Sequence, residues 1–249
     1  MELDRKRAAH DFFTNKYELE YFPPESGGKA PFVLICPGGA YQNVWSSIEG
    51  EPIARAFIRI GFAAFVLRYR TRKKGRYPHP QEDIARAIRE ILEREDIVKE
   101  NYAVCGFSAG GYVAASFGTE SMGYAKYDLP KPGVMILCYP VITMDKDTHE
   151  TSRKNLLGKD PTKELVELCS VEKQVTAGYP PTFIWNSLED KEVKPSNSAM
   201  MAQALDRAGI PHEFVCYRTG DHGIGLGTGT ECEDWLERCV AFWRAAEMQ

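Results

Sequence analysis

The chain reads as a single α/β domain in which a mostly parallel sheet is flanked by helices, and three observations lead there. Between residues 31 and 118, apolar runs of strand length alternate with helical periodicity, in the order strand, helix, strand, helix, strand, helix. That alternation is the pattern of crossover connections between parallel strands. The runs at 32–35 (Phe-Val-Leu-Ile) and 62–69 (Phe-Ala-Ala-Phe-Val-Leu-Arg-Tyr) are continuously apolar rather than alternating, as expected of strands covered on both faces. With 249 residues, 43% of them hydrophobic, the chain can bury one sizeable core, and no repeat or interdomain linker interrupts it. A single domain over residues 1–249 is expected.

Each element has a local reason. Residues 16–22 alternate polar and apolar before Pro23-Pro24 and Ser26-Gly27-Gly28, the signature of an edge strand and a turn. Residues 31–36 form a buried strand that stops at Pro37-Gly38-Gly39-Ala40-Tyr41. Residues 51–60 have helical spacing, closed by Gly61, and residues 62–69 form the next strand. A basic loop, 70–76, runs to Pro78 and Pro80, which end it; Ile84, Ala85, Ile88, Ile91 and Leu92 then recur at helical intervals over 81–95. Asp83, near that helix start, reads as a capping group. A strand at 102–105 leads into a helix from Ser108 to about Gly118, and another buried run covers 134–139.

The polar segment 143–178 holds only short helical candidates such as 162–169, and it reads as a small cap inserted over the sheet. Residues 181–186 are a strand, 195–208 a helix with Gly209 past its end, and 212–217 the last strand. A glycine-rich loop, 219–229, precedes a final amphipathic helix at 230–246. The edge strand and the apolar terminal helix are the surfaces on which a homodimer would form, although both also occur in monomers.

Composition narrows the function classes. A formal charge of −4 with both signs interspersed provides no basic stripe for nucleic acid and no polybasic patch for a membrane, so a small neutral or mildly polar ligand is expected. The six basic residues between 68 and 76 read as a solvated loop in preference to an anion site. There is no run of about 18 apolar residues. The seven cysteines are an odd number, and several lie in apolar runs, as reduced structural thiols do. These features place the protein in the cytoplasm. Neither cysteines nor histidines show metal-ligand spacing, so no metal and no cofactor are expected.

The chemistry centres on Gly106-Phe107-Ser108-Ala109-Gly110, a G-x-S-x-G at a strand-to-helix junction that would lift the Ser108 hydroxyl onto a tight elbow. A serine needs a base, and of the five histidines His222 is placed for it, in a glycine-flanked loop after the last strand. The acid that would orient His222 is Asp190, after the strand at 181–186, with Glu189 kept as its substitute. An oxyanion needs backbone N–H donors, which the small residues after the 31–36 strand and the start of the helix at Ala109 can supply. Tyr41, Trp45 and Tyr69 are aromatic candidates for lining an acyl or sugar pocket; core or rim packing is the competing reading.

Taken with the order Ser108, Asp190, His222, these motifs resemble the α/β-hydrolase superfamily, and within it small esterases related to acetyl-xylan esterases and the hormone-sensitive-lipase-like group. The resemblance runs from about residue 31 to the C-terminus. It is carried by Pro37-Gly38-Gly39-Ala40-Tyr41, Glu49-Gly50-Glu51-Pro52-Ile53-Ala54, Tyr69-Arg70, the Ser108 elbow, Asp190 with Val193, and Asp221-His222-Gly223. It implies an α/β-hydrolase fold with oxyanion amides on Gly39, Ala40 and Ala109. Pro37 stands where many relatives carry His, and Ala40 replaces a third glycine. The implied function is a serine esterase acting on short acyl groups, with acetylated sugars or xylan fragments leading. An amide hydrolase of the peptidase or arylformamidase type and a non-catalytic binding protein on the same fold are the alternatives.

Overall fold

The computed structural model describes residues 16–247. The elements run β1 (Glu18–Phe22), β2 (Ala30–Cys36), α1 (Ser46–Glu49), α2 (Glu51–Arg59), β3 (Ala63–Arg68), α3 (His79–Leu92), β4 (Ile97–Phe107) and α4 (Ser108–Phe117). They continue with β5 (Val134–Cys138), α5 (Glu150–Leu157), α6 (Lys163–Cys169), β6 (Thr182–Ser187), α7 (Ser196–Ala208), β7 (His212–Tyr217) and α8 (Trp235–Ala246). The strands form one seven-stranded sheet in the order β1-β3-β2-β4-β5-β6-β7. Among the described strands only β1 runs antiparallel, pairing along β3 from Glu18 opposite Arg68 to Phe22 opposite Ala64. The other neighbours pair in parallel.

Strand side chains alternate between two cores, because successive residues of a strand point to opposite faces. Phe32, Leu34 and Cys36 of β2 join Ile84 and Ile88 of α3, Tyr112 and Val113 of α4, and Met201 and Leu205 of α7 on one face. Val33 and Ile35 join Ile53 and Phe57 of α2 and Trp235, Cys239 and Trp243 of α8 on the other. Covering both faces requires continuously apolar strands, which β2 and β3 are. The apolar stripe of α8 is consumed by this second core rather than presented outward. Among the described residues no helix is long and apolar enough to cross a membrane.

Several boundaries differ from those the pattern predicts. Strand β4 starts at Ile97, ahead of the expected 102; its first half leaves no apolar run to mark it, because Lys99 and Glu100 stay exposed there. Helix α3 starts at His79, so Pro80 lies within its first turn, where a missing N–H costs nothing. Asp83 is not a cap: it lies inside α3 and accepts from Arg70, N–H at 2.7 Å and Nε at 2.8 Å. Helix α8 begins only at Trp235, and residues 231–234 form turns.

The segment 143–178 holds α5, α6 and a short 3-10 turn at Val171–Lys173. Thr162 caps α6, its hydroxyl accepting the Leu165 N–H at 3.2 Å. Bonds to the sheet-covering helices hold the segment: Tyr112 Oη donates to Cys169 O at 2.8 Å, and Asn197 accepts from Thr143 N–H at 3.2 Å through Oδ1 and donates to Asp147 O at 3.1 Å through Nδ2.

Candidate active site

Four loops leave the carboxyl ends of β2, β4, β6 and β7 on the same edge of the sheet, the edge where parallel α/β folds place ligands. Ser108 follows β4 directly. It is held at φ 52°, a left-handed conformation that a serine adopts only under constraint. The turn is tight because α4 must pack directly on the backbone of β2 and β4. A Cβ on Gly110 would collide with the carbonyl oxygens of Cys36 and Pro37, and one on Gly106 with that of Gly110.

His222 Nε2 lies 2.8 Å from Ser108 Oγ, and His222 Nδ1 lies 2.7 Å from Asp190 Oδ2. A carboxylate only accepts hydrogen bonds, so Nδ1 carries a proton, and in the neutral imidazole the Nε2 lone pair then faces the serine hydroxyl. The other oxygen of Asp190 accepts the N–H groups of Glu192 and Val193, each at 2.9 Å. With its side chain only 1% exposed, Asp190 is fixed in place, while the imidazole of His222 is 17% exposed. Glu189 is exposed and points elsewhere, taking a long 3.5 Å bond from Gly220 N–H, so the structure separates it from His222.

A cavity of about 440 Å3 opens over Ser108 and is bordered by Gly39, Ala40, Trp45, His149 and His222. The chain at its wall has positive φ at Gly39 (124°), Ala40 (52°) and Tyr41 (60°), a curl that turns the local N–H groups away from regular structure. Among the described residues, the amides of Gly39 and Ala40 donate to no acceptor. Ala109 is the second residue of α4, where an N–H has no intrahelical partner and the helix dipole favours negative charge.

Of the three aromatic candidates, Trp45 lines this cavity, 39% exposed, with Nε1 donating to Asn43 Oδ1 at 3.1 Å. Tyr41 and Tyr69 do not. Both are fully buried, and their hydroxyls donate to Ala109 O at 3.2 Å and Pro37 O at 2.7 Å. Their rings pack beneath the loop and brace the 37–41 curl; neither borders the Ser108 cavity, and Tyr41 borders the cavity beside it.

Three residues at the site were not singled out for a role by the sequence, although Glu49 lies in a stretch that carries the family resemblance. The Glu49 carboxylate is buried in the cavity wall, where Oε2 accepts Gly38 N–H at 2.7 Å and Oε1 accepts the Tyr139 hydroxyl at 2.8 Å. Burial pushes its pKa up, and the Tyr139 and Gly38 bonds and the neighbouring His222 pull it back only in part. Tyr139 also accepts Gly225 N–H at 3.1 Å and sets its ring against that of His222, centroids 4.9 Å apart. One carboxylate thereby ties together the 37–41 loop, the end of β5 and the His222 loop. His149 sits on the rim, its Nδ1 2.9 Å from Ser152 Oγ, and burial together with the nearby His222 lowers its pKa. Among the described residues no group of three or more His, Cys, Asp or Glu side chains is arranged to hold a metal ion.

Comparison with known proteins places the chain among relatives. The BD-FAE family model matches residues 20–205. An endo-1,4-beta-xylanase B of Butyrivibrio fibrisolvens is 36% identical over 220 residues, covering 83% of this chain and 34% of that protein. An acetylxylan esterase of Xylanibacter ruminicola is 30% identical over 237 residues, covering 92% of this chain and 48% of that protein. The chain therefore spans about a third and about half of the length of these two relatives. Among solved structures, an acetyl ester-xyloside bifunctional hydrolase of Caldicellulosiruptor lactoaceticus superposes with a TM-score of 0.85 at 31% identity, covering 93% of this chain and 88% of that one. The fold is that of the α/β hydrolases.

Proposed function

The chain belongs to the BD-FAE family, and from that membership we propose that it is a serine carboxylesterase that cleaves short-chain acyl esters, acetylated sugars or xylan fragments foremost. The single observation that carries the reading is the continuous hydrogen-bonded line from Ser108 through His222 to Asp190, opening on a cavity. The names of the acetylxylan esterase and of the acetyl ester-xyloside hydrolase supply the substrate class.

In this reading Ser108 Oγ attacks the ester carbonyl while His222 Nε2 takes its proton. The charge that develops on imidazole is balanced by Asp190, and the oxyanion is held by the amides of Gly39, Ala40 and Ala109. Collapse of the tetrahedral intermediate breaks the bond to the alcohol oxygen, which leaves with the proton from His222. Water, deprotonated by the same nitrogen, then attacks the acyl-serine and returns the enzyme with a free carboxylic acid. Trp45 offers an aromatic face to the bound acyl or sugar group, and the segment 143–178 acts as a cap that bears His149. The seven free thiols suit a reducing compartment, so the substrates would be soluble fragments met in the cytoplasm.

The test is turnover of a nitrophenyl acetate and of acetylated xylo-oligosaccharides by the protein and by Ser108→Ala, beside a matched anilide. The reading expects ester hydrolysis in the parent, loss of at least about a thousandfold in the variant with unchanged melting, and a slower anilide reaction. Ester turnover that survives in Ser108→Ala would end it.

A further inference from the structure

A second cavity, of about 650 Å3, adjoins the first, and its chemistry is different. Among the described residues its wall carries five cationic side chains, Arg72, Lys73, Arg76, Lys154 and Lys159, and no carboxylate. On a chain of formal charge −4, this is a local reversal of sign. The cations come from two distant segments: the loop after β3 supplies Arg72, Lys73 and Arg76, and the end of α5 with the turn beyond it supplies Lys154 and Lys159. A backbone bond brings the two together, Tyr77 N–H donating to Leu156 O at 3.0 Å, while Arg72 N–H donates to Tyr41 O at 2.7 Å and ties the first segment to the loop after β2. Like charges gathered in one hollow repel, and the positive potential they create draws an anion into it.

The position of this hollow matters as much as its sign. Gln42 and Asn43 border both cavities, so the two are parted by a single short stretch of chain. Asn155, in the wall of the basic cavity, donates Nδ2 to Ala40 O at 2.8 Å, and Ala40 borders the Ser108 cavity. A molecule with one end against Ser108 can cross residues 42–43 and set its other end among the cations. The volume suits a sugar-sized group rather than a bare ion.

We propose that the basic cavity is an anion subsite for the far end of the substrate, which makes acylated saccharides bearing a carboxylate the preferred substrate class over neutral ones. This rests on Ser108 being the nucleophile, since it is the shared wall that makes the anion part of the substrate rather than a separate ligand.

The experiment uses an acetylated xylo-oligosaccharide carrying a uronic acid and its twin in which the carboxylate has been reduced to hydroxymethyl. Both are assayed, with nitrophenyl acetate, on the parent and on the triple variant Lys73→Gln, Lys154→Gln, Lys159→Gln. The acidic twin is expected to have a KM about tenfold lower than the neutral one, a preference eroded by salt and largely lost in the triple variant, while nitrophenyl acetate turnover and melting stay unchanged. Calorimetry with the two deacetylated saccharides reads the subsite without any turnover, so a failure of the esterase reading appears in nitrophenyl acetate alone and a failure of the subsite appears here. Equal binding of the twins, or a preference untouched by the triple variant, overturns the proposal. So does inorganic phosphate changing nitrophenyl acetate turnover while the twins remain equal, because the cavity then serves a free anion.

Discussion

Glu49 brings a buried carboxylate into the wall of the Ser108 cavity, and its protonation is coupled to folding. Burial raises its pKa above the ordinary value near ~4.3, so the folded chain holds this proton more tightly than the unfolded chain does. The sign follows: the contribution is fully present below the ordinary glutamate range and is lost as pH rises through the folded value. Glu49→Gln removes that titration. Urea unfolding over a pH series should therefore show the parent losing stability relative to the variant as pH rises from about 4 towards neutrality; parallel profiles would contradict it. The amide can no longer take both the Gly38 N–H and the Tyr139 hydroxyl as acceptor, so kcat should fall by about tenfold, with KM little changed. Tyr139→Phe strips the donor from Glu49 and the acceptor from Gly225, and denaturant midpoints should report a loss of about 1–3 kcal/mol.

At the scale of elements, the elbow depends on α4 lying on bare backbone. A methyl at position 110 has no direction in which to relax, because the atoms it meets are main-chain oxygens of the β2 end. Gly110→Ala should cost more than about 3 kcal/mol in chemical denaturation or abolish soluble expression. On the opposite face, Trp243 of α8 is fully buried and stacks on Phe62 with centroids 4.5 Å apart. Trp243→Ala should cost about 3–5 kcal/mol by the same assay. The strands were legible where they are buried on both sides, because β2, β3 and β5 leave long apolar runs and β6 a core of Phe183-Ile184-Trp185. The early half of β4 was not, since Lys99 and Glu100 project from the sheet where its faces are no longer covered. Nor was the start of α8: Thr230 to Asp234 satisfy their backbone locally, as when Thr230 N–H donates to Gly227 O at 2.9 Å, instead of extending the helix.

Over the whole molecule, the positions of Ser108, Asp190 and His222 were readable because each follows a parallel strand, and parallel strands put their carboxyl ends on one edge. Features that depend on packing between distant segments were not readable. Whether Tyr41 faces a ligand or the core, whether Glu49 is solvated, and whether the basic loop meets Lys154 and Lys159 are decided by the fold, and periodicity is blind to all three. The cysteines offer a global check on that packing. All seven are free and only Cys216 is exposed. A thiol reagent should modify one cysteine rapidly in the native protein and all seven after unfolding; several fast sites in the native state would mean a looser core. The central claim, that Ser108 is an activated nucleophile, is tested most directly by intact-mass and peptide analysis after treatment with a fluorophosphonate. The expected result is one adduct per chain, located on Ser108, absent in Ser108→Ala and formed far more slowly in His222→Ala. An unmodified Ser108 in a folded protein, or an adduct whose rate is indifferent to His222, would contradict it.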